Sequence, residues 1–248
     1  MPNKMRNIKL TLEYDGTNYH GFQSQKNAKA IQDILEAALS DVLGKKTKVI
    51  SSSRTDSKVH ALCHTANFKT ASELPLTAMK VKLNEVLPKG IVVKDMWGAH
   101  LGFHSQFDAK SKVYRYTILN RDCRSPLYDK YSHLVKYKLN INLMRREARC
   151  LVGRHDFKAF QASAAKEGPT VRSVKAVNIK KDGHFIYITI EADGFLYNMV
   201  RKIVGTLIEI GRGRFKPGSA RMILCSKGKR LSGPTVPARG LCLIDVKY

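Results

Sequence analysis

The residues most able to do chemistry lie in one short stretch, Ser51-Ser52-Ser53-Arg54-Thr55-Asp56-Ser57-Lys58-Val59-His60-Ala61. Asp56 stands two residues after Arg54 and two before Lys58. A carboxylate flanked by cations is held ionised, because nearby opposite charge favours the charged form. Such a group can serve as a nucleophile or a general base. A serine-rich stretch with one aspartate also makes an ordinary turn, since Ser and Asp side chains bond local backbone. The stretch alone does not decide between the two.

Other chemistries find less support. His60, Cys63 and His64 are close in sequence, but a structural zinc site needs a second ligand pair at recognisable spacing. Cys225 and Cys242 are isolated. The loop Gly211 to Gly218 lacks the G-K-[ST] of a phosphate-binding loop and reads as a basic loop beside RNA phosphate. No G-x-S-x-G elbow occurs. What remains beside Asp56 is the aromatic-basic strand Lys112-Val113-Tyr114-Arg115-Tyr116 and Arg201. Tyr114 and Tyr116 fit either a strand core or a platform for an extruded base. Arg201 lies beside the apolar stripe of a helix, where an arginine needs an acid partner. Asp56 is the partner chosen for it, and a solvated position like that of Lys202 is the alternative.

The bulk numbers set the partner class. The 248 residues carry 44 Lys+Arg against 20 Asp+Glu, a formal charge of +24. The basic residues are dispersed along the chain rather than gathered in a tail. That is the footprint of a broad nucleic-acid-binding surface. Hydrophobic residues make up 43%, enough for a real core. Five cysteines, with no C-x-x-C, point to a reducing compartment. No secretory leader or membrane-spanning run is visible, so a soluble cytoplasmic protein is expected.

These groups must be positioned by regular elements. Asn7 to Tyr14 alternates as a half-buried strand. Ile31 to Val42 has helical spacing and Gly44 ends it. Thr47 to Ile50 and His64 to Phe68 read as strands on either side of the Asp56 loop. Thr77 to Leu87 is a second helix, and Ile91 to Val93 lies in a strand. Lys110 to Asn120 alternates again, followed by a basic loop from Arg121 to Tyr131. Asn142 is read as the cap of a third helix ending at Gly153, and Arg154 to Phe160 as a loop. Gln161 to Thr170 reads as a mobile polar loop. Val171 to Lys180 and His184 to Ala192 form a hairpin about Lys181-Asp182-Gly183. Phe195 to Ile210 is the strongest amphipathic helix. A short helix over Ser219 to Cys225 and a strand over Leu241 to Val246 complete the chain. The pattern predicts an α+β fold with a mixed, largely antiparallel sheet and helices on one face. Halves of about 1–104 and 105–248 look loosely alike, as an old duplication would leave them. With no long linker, a single compact unit over 1–248 is expected.

The motifs together resemble the TruA family of tRNA pseudouridine synthases. They are Leu12-Glu13-Tyr14-Asp15-Gly16, Gly21-Phe22-Gln23, Arg54-Thr55-Asp56 with Val59-His60-Ala61, and Lys112 to Tyr116. Then come Gly153 with His155-Asp156-Phe157, Met199-Val200-Arg201 with Ile203-Val204-Gly205, and Pro237 with Gly240-Leu241. They follow family order from about Arg6 to Tyr248. The resemblance implies the pseudouridine synthase fold with a central basic cleft. It implies isomerisation of uridine in tRNA, typically at positions 38 to 40 of the anticodon arm, after base flipping. It also implies a homodimer, tRNA as partner, no membrane or DNA partner, and no cofactor or metal. By resemblance Asp56 is catalytic, Arg54 fills the space of the flipped base, and Tyr114 stacks on the uracil. Arg201 pairs with Asp56, and Leu241 lines the pocket. Ser53 and Lys58 stand where the family has glycines, which leaves the target open. The same chemistry on rRNA or another structured RNA, and a non-catalytic RNA-binding paralogue, are the competing readings.

Overall fold

The structure is a computed structural model that describes residues 4–162, 168–230 and 232–248. Of the polar loop expected over Gln161 to Thr170, residues 163–167 lie outside the described residues. The chain divides into two compact units, Met1–Lys110 with Leu243–Tyr248, and Ser111–Cys242.

The first unit is built on β1 (Arg6–Tyr14), which pairs antiparallel with β3 (His60–Thr70) and β4 (Ile91–Ala99). The two-residue strand β2 (Ile50–Ser51) also pairs with β3. The last strand of the chain, β10 (Leu241–Lys247), lies next to β3. Ile8, Leu10 and Leu12 of β1 are fully buried as expected, but Asn7 and Thr11 on the other face are buried too, so the strand is more than half-buried. The three apolar residues share the core with Leu35 and Leu39 of α1 (Ile31–Leu43) and Met79 and Leu83 of α2 (Leu76–Val86). Gly44 ends α1 in the left-handed conformation, φ +65°, where a residue without Cβ carries no penalty. The strand before the Asp56 loop is shorter than expected and the one after it begins earlier, at His60 rather than His64.

One buried acid ties α1 to the approach to that loop. Glu36 accepts hydrogen bonds from Gln32 Nε2 at 2.9 Å, Val49 N at 3.1 Å and Lys48 Nζ at 2.7 Å. Burial opposes its ionisation, but the bonds from Lys48, Gln32 and Val49 outweigh burial and hold the carboxyl below its ordinary range. A depressed carboxyl stabilises the fold above its unfolded pKa, and that contribution is lost as pH falls through the lower folded value. Glu36→Gln should therefore destabilise by about 2 kcal/mol at neutral pH. The difference from wild type should shrink in acid, and thermal melts across pH 3 to 7 read it.

The second unit has the strand order β5-β9-β8-β7, all antiparallel, with β6 added in parallel to β5. The strands are β5 (Ser111–Asn120), β6 (His133–Val135), β7 (Gly153–Asp156), β8 (Val171–Asp182) and β9 (Phe185–Ala192). The helices are α3 (Ile141–Ala148), α4 (Met199–Gly211) and α5 (Ser219–Cys225). Ile203, Val204, Leu207 and Ile210 of α4 are fully buried. Among the described residues, five α-helices and a largely antiparallel set of strands match the expected α+β class.

Four local expectations are corrected. The cap of α3 is Asn140, whose side chain accepts from Leu143 N at 3.0 Å, and not Asn142. Gly153, at φ +115°, opens β7 rather than ending the helix, so Arg154 to Phe160 is not one loop. α4 begins at Met199, because Asn198 turns through φ +60°. β8 continues through Asp182, which moves the hairpin turn to Gly183-His184. Among the described residues no helix is long and apolar enough to cross a membrane.

Candidate active site

The loop carrying Arg54 and Asp56 joins β2 to β3 in the first unit. It is held mainly through backbone. Phe22 N donates to Thr55 O at 3.1 Å, Lys58 N to Tyr19 O at 3.1 Å, and Val59 N to Asp56 O at 3.2 Å. Two glycines let neighbouring chain lie against it. A Cβ on Gly21 would stand 2.5 Å from Thr55 O, and one on Gly16 would stand 2.1 Å from Val59 O. The motifs Tyr14-Asp15-Gly16 and Gly21-Phe22 therefore form the cradle of the Asp56 loop. Polar residues complete the hold, with Asp15 Oδ1 3.1 Å from His60 Nδ1. Arg54 is exposed, Thr55 is buried and Asp56 is half-buried.

The two departures from glycine behave differently. Lys58 adopts φ +64°, the left-handed region, whereas Ser53 does not have a positive φ. Ser53 therefore carries no backbone strain of this kind, and Lys58 keeps a loop shape that suits glycine at a cost. Lys58→Gly should raise stability by about 1 kcal/mol and Tm by about 2–4 °C. Lys58→Ala, which loses the charge but keeps the strain, should give no such rise. Equal melting of Lys58→Gly and wild type would refute the strain.

The second unit, described by itself, carries the other sequence-predicted residues. Tyr114 lies on β5, 6% exposed, with Phe195 edge-on at 5.1 Å. Tyr116 is fully buried, and its hydroxyl donates to Pro237 O at 2.8 Å. Burial pushes its phenol far up, against the pull of Arg201 and Arg239. Tyr116 is thus a core residue. Arg201 donates from Nε to Val236 O at 2.7 Å and from Nη1 to Asn198 Oδ1. It is part-buried, as is Lys202, which reaches Ser232 Oγ. Leu241 is buried at the start of β10. Lys112, whose motif was read only for its tyrosines, has its ammonium pKa lowered by burial and by Arg172.

Arg201, Gly205 and the segment before Leu241 belong to one local construction. A Cβ on Gly205 would stand 1.8 Å from Pro234 O. Thr206 Oγ1 accepts from Gly233 N at 2.8 Å, and Lys202 Nζ lies 3.2 Å from Ser232 Oγ. The segment from Ser232 to Pro237 is thereby laid along α4, and Leu241 follows from it. Sequence reasoning placed Arg201 but missed the roles of Tyr14, His64, Gly16 and Gly21. For Tyr14, Gly16 and Gly21 the signal was their place in motifs that precede the Asp56 loop, and His64 carried none. Among the described residues no group of three or more His, Cys, Asp or Glu is arranged to hold a metal ion. His60 and His64 are instead buried and hydrogen-bonded.

The profile of a family described as tRNA pseudouridine synthase matches residues 11–108 and 148–248. The tRNA pseudouridine synthase A of Thermoanaerobacter sp. (strain X514) is 46% identical over 244 residues, covering 98% of this chain and all of that protein. That of Geotalea uraniireducens (strain Rf4) is 47% identical with the same coverage. Among solved structures, the archaeal box H/ACA sRNP Nop10–Cbf5 complex aligns with TM-score 0.34 and 10% identity, over 96% of this chain and 48% of that one.

Proposed function

Because the chain belongs to the TruA family of tRNA pseudouridine synthases, we propose that it isomerises uridine to pseudouridine at positions 38 to 40 of the tRNA anticodon arm, with Asp56 as the catalytic carboxylate. The reaction breaks the N1–C1′ bond and makes a C5–C1′ bond. C5 loses a proton and N1 gains one, so atoms and electrons balance with no cofactor. A base stacked in RNA hides these atoms, and the target uridine must first be flipped out. Arg54, exposed on the loop, is assigned to the space the base vacates and to phosphate. Tyr114 is assigned to stacking on the uracil, and Leu241 to the apolar lining. The pairing of Arg201 with Asp56 is carried in the same proposal. So are a homodimer and a cytoplasmic location.

The observation that carries the reading is the mounting of Asp56. Segments around Tyr14–Gly16 and Tyr19–Phe22 hold its loop through backbone bonds and two contacts that only glycine permits. A carboxylate so mounted, in a chain of charge +24, suits chemistry on a polyanion. The conformation of Lys58 favours the tRNA reading over a changed substrate. The residue differs from the family's, yet the backbone stays in the region glycine prefers. Site-resolved pseudouridine mapping of total RNA, with and without the gene, tests the proposal. Loss of pseudouridine at tRNA positions 38 to 40 is expected. An unchanged tRNA pattern with sites lost from rRNA would move the substrate, and no change anywhere would remove the activity.

A further inference from the structure

A row of buried hydrogen bonds runs beneath the Asp56 loop in the first unit. His64 is fully buried, Tyr14 is 3% exposed and Thr55 is 6% exposed. Tyr14 OH lies 2.8 Å from Thr55 Oγ1 and 2.9 Å from His64 Nδ1. His64 Nε2 lies 3.1 Å from Ser51 Oγ, which itself donates to Ser53 O. Phe22 stacks on the imidazole, with centroids 4.2 Å apart and planes at 19°. The row links the start of the loop at Ser51 to Thr55, the residue before Asp56.

The direction of every proton in the row follows from one bond. A serine hydroxyl has one proton, and Ser51 gives it to a carbonyl, which can only accept. Ser51 Oγ must then accept from His64, so Nε2 carries hydrogen. In a neutral imidazole Nδ1 is then bare and accepts from Tyr14 OH. Tyr14, its own proton used, accepts from Thr55 Oγ1. These four bonds are satisfied together with His64 as the neutral Nε2–H tautomer.

We propose that His64, held in this tautomer, acts through Tyr14 and Thr55 as a positioning residue that fixes the loop and so the direction in which Asp56 presents its carboxylate. The assignment rests on Asp56 being the catalytic group. A loop misplaced by a fraction of an ångström loses rate without losing bound RNA, because the broad basic surface carries binding.

The test has two readouts. Nitrogen NMR of histidine-labelled full-length protein, with His64→Gln to assign the signal, should show the Nε2–H tautomer. A bare Nε2 in wild type would overturn the row. Kinetics on a tRNA transcript then read its effect on Asp56. Thr55→Val and Tyr14→Phe should each lower kcat by about tenfold or more with KM within about twofold, and the double variant should be no worse than the poorer single. Thr55→Ser should recover most of the rate, since it restores the hydroxyl. Additive losses, a change confined to KM, or Thr55→Val at wild-type kcat would overturn the positioning role. An inactive wild type would count against the functional reading, and the tautomer would still decide the row.

Discussion

Asp56→Asn should lower pseudouridine formation by roughly 10⁴-fold or more and leave tRNA affinity within about twofold. Asparagine has the size and shape of aspartate but can neither attack carbon nor take a proton at neutral pH. The loss is therefore expected whether Asp56 acts first on the sugar, on the base or on a proton. The loop itself should survive. Phe22 N to Thr55 O, Lys58 N to Tyr19 O and Val59 N to Asp56 O are backbone bonds that the substitution leaves in place, as it does the side-chain row through Tyr14 and Thr55. Binding should survive as well. A chain with 44 Lys+Arg binds RNA mainly by releasing counterions from phosphate, and removing one negative charge does not weaken that. Single-turnover assays on a tRNA transcript, beside filter binding at fixed salt, separate the two quantities. A variant within tenfold of wild-type rate would remove Asp56 from the chemistry. A variant that binds far more weakly would make it a folding or binding residue instead.

The strands and helices with strong periodicity were legible from sequence. β1 and α1 were readable because apolar residues kept to one side leave a pattern of period two or about 3.6. The boundaries that failed have local causes. Asn198 takes a left-handed turn that no pattern announces, and it delays α4. Gly153 resembles a helix terminator but opens β7. The cap of α3 is Asn140, whose extended backbone and bond from Leu143 N take the place of the Asn142 that the sequence suggests. Residue types and motif resemblance nominate Arg54, Asp56, Tyr114 and Arg201 as candidates. They did not suffice for the residues that mount them. Tyr14 looks like an inward strand residue and His64 like a buried histidine, and both descriptions hold. Their bonds to Thr55 and Ser51 span 41 and 13 residues, which sequence spacing does not encode. The glycines show the same limit. Gly21 and Gly205 read as generic small residues until the backbone pressed against each is known. The Lys58 position was the exception, since a missing glycine in a glycine motif already pointed to a positive φ.

Gly205→Ala should destabilise the protein by about 3 kcal/mol and lower Tm by about 6–12 °C. Alanine is the better helix former by nearly 1 kcal/mol, and Gly205 lies inside α4, so propensity alone predicts the opposite sign. Packing decides it. The added Cβ would stand 1.8 Å from Pro234 O and 3.0 Å from Pro234 C, and these are backbone atoms that cannot swing aside as a flexible side chain would. Either α4 or the segment from Ser232 to Pro237 must move. That segment gives Val236 O to Arg201 Nε and Pro237 O to Tyr116 OH, and its Gly233 N donates to Thr206 Oγ1. Displacement therefore breaks several bonds at once and frees the Arg201 side chain, so activity should fall further than stability alone requires. Gly98→Ala is the control, because nothing lies within 4 Å of a Cβ there. It should shift Tm by no more than about 2 °C. Differential scanning fluorimetry of both variants reads the contrast, and equal melting of the two would show that the close approach at Gly205 yields without cost.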